Sequence, residues 1–172
     1  MKQLYLFDKS TEESTTTTMP IFTYWKIYVD GAARNNPGKA GAGIYIVAND
    51  VPVEQQGFYL GIKTNNEAEY YALLLGLFLV RAKIQKSDPV LLISDSQLLV
   101  RQLQGSYKVK KPELQKLHGI AKKMLHGIKY DVAHVLREDN EQADALANMG
   151  IDKKIPVPQA FTDMLHTYEH NR

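Results

Sequence analysis

A helical pattern stands between two strand patterns in this chain, and that separation decides what kind of sheet the chain can form. Residues 25–30 alternate and are rich in β-forming side chains, whereas residues 90–94 are a continuous apolar run typical of a buried strand. Between them, apolar side chains recur at helical spacing after Asn65 or Asn66, either of which can cap a helix that runs to about residue 83. Because such a crossover joins parallel strands, the later strand is predicted to lie parallel to a strand already in the sheet.

The remaining patterns complete one mixed sheet covered by helices. Residues 42–48 and 55–60 are typical of two further strands with turn residues between them, so the first three strands form an antiparallel meander. After the buried strand, the pattern predicts one more strand, at 130–136, and helices at 96–103, 113–125 and 140–149. The order βββαβααβα is that of an α/β domain built on five strands.

Composition indicates one globular domain. The 172 residues are 44% hydrophobic and 23% charged, which is enough to bury a single core. Residues 1–20 contain a Ser/Thr-rich run typical of a flexible linker, and residues 21–150 hold the predicted domain. Residues 151–172 are predicted to be a C-terminal tail that contains a short helix at 159–168. The chain has no cysteine, which excludes disulfides, a thiol nucleophile and cysteine-ligated zinc. Its longest apolar run is too short to cross a membrane and no secretory leader is present, so we expect a cytoplasmic protein, and a monomer.

Four acidic residues fall where the predicted elements begin or end. Asp30 ends the first strand and Asp95 the fourth. If those two strands are parallel neighbours, both side chains emerge at the same sheet edge, where ligand sites of α/β folds gather. Glu69 and Asp144 lie near the starts of their helices. Turn chemistry for the two aspartates, and attraction to the helix dipole for the other two acids, are structural alternatives. As a set without cysteine or clustered histidine, the four carboxylates favour hard cations such as Mg²⁺ or Mn²⁺.

Four segments carry motifs specific enough to compare with a known family. They are Tyr28-Val-Asp-Gly-Ala-Ala-Arg-Asn-Asn-Pro-Gly38, Thr64-Asn-Asn-Glu-Ala-Glu69, Ile93-Ser-Asp-Ser-Gln97 and Arg137-Glu-Asp-Asn-Glu-Gln-Ala-Asp-Ala-Leu-Ala147. In this order they resemble the active-site motifs of type 1 ribonuclease H, over about residues 24–149. The resemblance implies a ribonuclease H-like fold, with a mixed five-stranded sheet in the order 3-2-1-4-5 and helices on both faces.

The resemblance also implies a role for each matching residue. It implies that the catalytic carboxylates are those of Asp30, Glu69, Asp95 and Asp144. Together they are implied to bind two Mg²⁺ ions, with Mn²⁺ as the alternative. The implied reaction is endonucleolytic hydrolysis of the RNA strand of RNA–DNA hybrids, leaving 5′-phosphate and 3′-hydroxyl ends. The side chains implied to meet 2′-hydroxyls in the minor groove of the hybrid are the amides of Asn36, Asn65, Asn66 and Gln97.

Two features depart from many bacterial members of that family. Residues 105–113 are too few for a long basic handle, so the chain is more similar to the handle-less archaeal and plant-type subgroup. Residues 101–130 still carry eight basic residues against one acid, and Lys108, Lys110 and Lys111 are expected to contact the DNA strand; a basic loop without a ligand is the alternative. The histidine expected before the last aspartate falls at His134, inside a continuous strand pattern. His134 is therefore either an auxiliary catalytic residue or, as we favour, a strand residue packed near the site.

Two other functions compete with hydrolysis. A nuclease-inactive hybrid-binding module would share the same fold, and the intact set of four carboxylates argues against it. A ribonuclease H domain separated from a reverse transcriptase is the third hypothesis, which the absence of a polymerase segment disfavours.

A short motif near the start of the chain predicts a protein partner. Gln3, Leu4, Leu6 and Phe7 resemble the motif with which bacterial replication and repair proteins bind the sliding clamp. The apolar side chains could fill a pocket on the partner, and the Thr-rich run behind them could act as a tether. An edge strand or a stub with chance hydrophobic residues is the alternative.

Overall fold

The computed structural model describes residues 22–170, which form one five-stranded mixed sheet with helices on both faces. The strands are β1 (Trp25–Arg34), β2 (Gly38–Ala48), β3 (Val51–Lys63), β4 (Pro89–Ser94) and β5 (Lys129–His134). The helices are α1 (Asn65–Val80), α2 (Gln97–Leu103), α3 (Pro112–Met124), α4 (Glu141–Lys153) and α5 (Gln159–His170). The strand order β3-β2-β1-β4-β5 confirms the predicted fold.

The register of the sheet follows from its connections. Strands β2 and β3 are joined by Asn49 and Asp50, both with positive φ, which is the geometry of a tight two-residue hairpin and one that these two residue types tolerate. Strand β4 pairs parallel to β1, with Tyr28 opposite Ile93, and β5 pairs parallel to β4. The crossover through α1 therefore places the end of β4 beside the middle of β1, where Asp30 lies within the strand and not at its predicted end.

Helices α1 and α4 cover opposite faces of the sheet. The apolar side of α1 is fully buried at Leu73 and Leu77, and this helix is enclosed on its other side by α3. On the opposite face, a Cβ at Gly43 would collide with the carbonyl of Ala143, so glycine there lets α4 approach the backbone of β2. Helix α1 is thus held against β1, which carries Asp30, and α4 is held against β2, the antiparallel neighbour of β1.

The cap of α1 differs from the sequence prediction. Thr64, not Asn65 or Asn66, is the N-cap: its hydroxyl accepts from the N–H of Glu67, and the Glu67 carboxylate accepts from the N–H of Thr64. This reciprocal pair is a capping box, and it satisfies two donors with one residue pair. The two asparagines are left free to use their side chains elsewhere.

Residues after 150 contact the rest of the fold up to His170. Helix α4 continues to Lys153, and α5 buries Phe161, whose ring packs edge-on against Phe78 with centroids 5.6 Å apart. An ion pair of 2.8 Å between Lys116 and Glu169 links α5 to α3. The part predicted as a tail therefore contains a helix that packs on the α1 side of the sheet. Within residues 22–170, no helix combines the length and hydrophobicity needed to cross a membrane.

Candidate active site

Three carboxylates from three different elements meet where β1 and β4 lie side by side. Asp30 lies within β1, Asp95 follows β4, and Glu69 comes from the second turn of α1. One ligand oxygen from each lies within 4.8 Å of the others. A Cβ at Gly31 would collide with the backbone of α1, so only glycine allows this approach, and the Gly31 N–H donates to the Glu69 carboxylate at 3.1 Å. Sequence spacing predicted the two aspartates together, and Glu69, which the resemblance assigned to the same site, lies beside them.

The environment of these carboxylates opposes their charge. Burial, followed by the neighbouring charges of Asp95 and Asp144, raises the pKa of Asp30 to about 7. Burial and the charges of Asp30 and Asp95 raise the pKa of Glu69 well above its usual range, although the Gly31 N–H acts in the opposite direction. Without a cation, the site therefore holds protons at pH values where isolated carboxyl groups have lost them.

Asp144 lies on the other side of the same cavity and has a different partner. It projects from the first turn of α4 and lines a cavity of about 370 Å³ together with the three clustered carboxylates. Its Oδ1 accepts from Arg137 Nη2 at 3.0 Å, in an ion pair whose side chains are both partly exposed. The fourth acid is thus near the trio and charge-compensated by an arginine.

Two residues at this site have no role assigned by sequence reasoning. Arg137 lines the cavity and pairs with Asp144. Asn140 is buried, and its Nδ2 donates to Asp95 Oδ1 at 3.1 Å. Both belong to the quoted motif around Asp144. The partners of Asn140 are distant in sequence, and the pairing of Arg137 depends on a short 3₁₀ turn over Arg137–Asp139, which the strand pattern does not predict.

His134 lies beside the cavity and outside its lining. It is the last residue of β5, its side chain is exposed, and its Nε2 lies 3.2 Å from the main-chain oxygen of Asp95. Strand β5 ends there, two residues before the predicted end. His134 is therefore an exposed residue at the end of β5, next to the main chain of Asp95.

The two amide-bearing loops next to the cavity are tied to each other. Asn65 Oδ1 accepts from the N–H of Ala33 at 3.0 Å, and Asn36 Oδ1 accepts from the N–H of Asn65 at 3.1 Å. Both asparagines are exposed, and Asn65 lines the cavity. These bonds fix the loop after β1 against the start of α1, at the rim of the carboxylate site.

The other two amides and the lysines lie on a neighbouring surface. Gln97 is exposed at the start of α2, and Asn66 borders a second cavity, of about 540 Å³. We call residues 104–111, between α2 and α3, the basic loop. This loop lines the second cavity with Tyr107, which is 45% exposed, and with its three lysines, Lys108, Lys110 and Lys111.

A buried polar network supports the floor of the second cavity. The Tyr70 hydroxyl donates to Gln102 Oε1 at 2.8 Å and lies 3.2 Å from His118 Nδ1. Burial raises the pKa of Tyr70, and burial together with Lys122 lowers the pKa of His118. The network joins α1, α2 and α3 and so fixes the ends of the basic loop.

The clamp-like motif of Gln3, Leu4, Leu6 and Phe7 lies outside the described residues.

Comparison with known sequences gives one family model and several relatives. Residues 28–150 match the family model described as reverse transcriptase-like. A ribonuclease HI of Halobacterium salinarum is 40% identical over 73% of this chain, and a bifunctional protein of Mycobacterium tuberculosis is 36% identical over 80% of it. The chain spans 63% of the length of the first relative and 38% of the second.

Comparison with solved structures gives the same family. The crystal structure of RNase H1 from Halobacterium salinarum superposes with a TM-score of 0.71 at 37% identity, covering 76% of this chain and 98% of that one. The crystal structure of LC11-RNase H1 in complex with an RNA/DNA hybrid superposes with a TM-score of 0.72 at 37% identity, covering 75% of this chain and 97% of that one.

Proposed function

Because the chain belongs to the type 1 ribonuclease H family, we propose that it is an endonuclease that hydrolyses the RNA strand of RNA–DNA hybrids. The observation that carries this proposal is the trio of Asp30, Glu69 and Asp95, whose ligand oxygens lie within 4.8 Å of one another, with Asp144 lining the same cavity. The relative crystallised with an RNA/DNA hybrid, which this chain covers over 97% of its length, supports the substrate class.

The donor set at the site fits divalent cations that prefer oxygen ligands. The three groups brought together are all carboxylates, and two of them, Asp30 and Glu69, carry a pKa raised by burial and mutual repulsion. Such a cluster gains from a cation, so the four acids would hold two Mg²⁺ ions, with Mn²⁺ as the alternative. Bound there, the ions would activate a water and neutralise charge on the leaving oxygen, so that cleavage leaves 5′-phosphate and 3′-hydroxyl ends.

Recognition of the hybrid is assigned to the amides at the rim of the cavity. With each Oδ1 engaged by a main-chain N–H, the amide nitrogens are the groups that Asn36 and Asn65 present to a ligand. Asn66 borders the second cavity, and Gln97 is exposed at the start of α2. Amide nitrogens and oxygens can bond 2′-hydroxyls without reading base identity, so this surface would select RNA-containing duplexes over DNA with little sequence preference.

The basic loop would bind the DNA strand through its phosphates. Its three lysines are exposed and surround a cavity next to Asn66, so a duplex whose RNA backbone reaches the carboxylates would place its other strand beside them. Phosphate contacts position a duplex without reading its sequence. The loop would therefore contribute affinity that falls as the salt concentration rises.

Cleavage of a labelled RNA–DNA hybrid with Mg²⁺, and with EDTA in its place, tests the proposed activity. Asp30→Asn and Asp95→Asn each remove the charge of one ligand and keep its shape, so we expect loss of cleavage by at least about 100-fold in a folded protein. Asp163→Asn, the same change at an exposed position of α5, should leave cleavage unchanged. A wild type that binds the hybrid without cleaving it would support the inactive binding module instead.

A second part of the proposal concerns the sliding clamp. Gln3, Leu4, Leu6 and Phe7 would anchor the enzyme to a bacterial clamp, and the Thr-rich run behind them would act as a tether. The test compares clamp binding by the whole chain and by the Leu6→Ala/Phe7→Ala variant. Equal binding by both, or binding by neither, contradicts the tether, whereas hybrid cleavage should be the same for both proteins.

A further inference from the structure

Asn140 occupies the N-cap position of α4, but its side chain does not cap the helix. Asparagine is among the residues preferred at this position because its side-chain oxygen can accept from the first free N–H groups of a helix. Here the residue precedes Glu141 and makes no side-chain cap hydrogen bond. The side chain is almost completely buried, at 1% exposure, and therefore serves another purpose.

The amide nitrogen of Asn140 links β1 to the segment that follows β4, at the carboxylate site. Its Nδ2 donates to the main-chain oxygen of Val29, the residue before Asp30, at 3.0 Å. The same nitrogen donates to Asp95 Oδ1 at 3.1 Å. The main chain of Asn140 adds a third link, since its oxygen accepts from the N–H of Asp144 at 3.1 Å. One residue thus contacts the segments that carry three of the four acids.

The orientation of this amide is determined by its neighbours. Turning it over would place Oδ1 against the Val29 oxygen and the Asp95 carboxylate, and all three groups only accept hydrogen bonds. In the observed orientation, Oδ1 is buried, and it is the one buried side-chain nitrogen or oxygen among residues 22–170 that has no partner. Leaving a buried oxygen unpaired opposes folding, and the two bonds that Nδ2 donates must offset this cost.

We propose that Asn140 is a positioning residue for the hydrolysis, a role that rests on the proposed function. A carboxylate that follows a strand can rotate about its side-chain bonds, and a buried donor on one oxygen restricts that rotation. Asn140 therefore fixes the direction in which Asp95 faces Asp30 and Glu69, and it ties this direction to the start of α4, where Asp144 lies. Because Asn140 lies beneath the carboxylates, its loss should change turnover and leave substrate binding unaltered.

Two variants separate this role from simple packing. Asn140→Ala removes both donated bonds, and Asn140→Asp keeps the volume but cannot donate when it is ionised. Asp88→Ala is the matched control: Asp88 is 3% exposed and accepts from Thr23 and from the Trp25 indole, at the opposite end of β4 from Asp95. It joins distant segments as Asn140 does, away from the carboxylates.

The experiment measures kcat and KM for a labelled hybrid at saturating Mg²⁺, well below the melting temperature of each protein. Loss of a side chain that orients a metal ligand typically costs about 10- to 100-fold in metal affinity or activity. We expect both Asn140 variants to lower kcat by that factor with KM unchanged, and to reduce the rise in melting temperature that Mg²⁺ produces. Asp88→Ala should lower the melting temperature and retain both kcat and the Mg²⁺ response.

Several results would overturn the proposal. Wild-type kcat in Asn140→Ala would mean that the two donated bonds play no part in turnover, and an equal loss of kcat in Asp88→Ala would mean that Asn140 only supports the fold. If the wild type is stabilised by Mg²⁺ but does not cleave the hybrid, the proposed function is refuted. In that case the role of Asn140 is tested by the Mg²⁺ response alone, and it is refuted if Mg²⁺ stabilises the Asn140 variants as much as the wild type. A wild type with neither property refutes both.

Discussion

Replacing Asp30 by asparagine should stabilise the metal-free protein at alkaline pH. Burial and the charges of Asp95 and Asp144 raise the pKa of Asp30 from 3.8 to about 7. The folded state therefore binds the proton more tightly than the unfolded state does. That contribution to stability is fully present below pH ~4 and is lost as the pH rises through ~7. Asparagine carries no charge at any pH, so the variant does not lose this stability as the pH rises.

The size of the effect follows from the shift. One pKa unit corresponds to about 1.4 kcal/mol, so a shift of roughly three units gives at most about 4 kcal/mol at pH 8. In the wild type, Glu69, whose pKa is also raised, can hold a proton and relieve part of the repulsion within the cluster, so we expect a gain of about 2–3 kcal/mol. For a chain of this length, each kcal/mol moves the melting temperature by about 2–4 °C, so the variant should melt roughly 4–12 °C higher at pH 8.

Thermal unfolding followed by circular dichroism in EDTA, from pH 4 to pH 8, measures this difference. The gap between Asp30→Asn and wild type should be near zero at pH 4 and widen toward pH 8. Asp163→Asn, an exposed aspartate on α5, should show no such gap. Adding Mg²⁺ at pH 8 should raise the melting temperature of the wild type more than that of Asp30→Asn. A gap that is constant with pH, or a wild type that gains stability relative to Asp30→Asn as the pH rises, would refute the electrostatic argument.

Three further predictions concern the surface around the carboxylates. Changing the three lysines of the basic loop to alanine should raise KM, leave kcat unaltered and flatten the dependence of KM on salt; an unchanged salt dependence would show that the loop does not contact phosphate. Asn36→Ala or Gln97→Ala should weaken discrimination between hybrid and duplex DNA in competition assays, and a change in preference among hybrid sequences instead would contradict the 2′-hydroxyl role. His134→Ala should retain kcat within about threefold, because His134 does not line the cavity; a drop of about 100-fold or more would make His134 a catalytic residue.

Local patterns in the sequence were enough to predict the elements and one mixed sheet, whereas the strand order came from the family resemblance. Alternation in the first strands, the apolar run at 90–94 and the helical pattern between them predict a parallel pairing, and the pairing of β4 with β1 brings Asp30 and Asp95 together. The hydrophobic periods of strands and helices depend only on neighbouring residues, and the rule that a helical crossover joins parallel strands holds for α/β folds in general. Both can therefore be applied to the sequence without coordinates.

Tertiary structure alone decided which groups hold the acids in place. Asn140 donates to Val29, 111 residues earlier, and no local pattern indicates that its side chain turns inward and leaves the N-cap of α4. Pairing of Asp144 with Arg137 depends on a three-residue 3₁₀ turn, and the cap at Thr64 depends on which of three adjacent polar residues meets Glu67. Each outcome is a choice between local chemistries of similar free energy. Long-range packing settles such choices because it fixes which donor and which acceptor are brought within hydrogen-bonding distance.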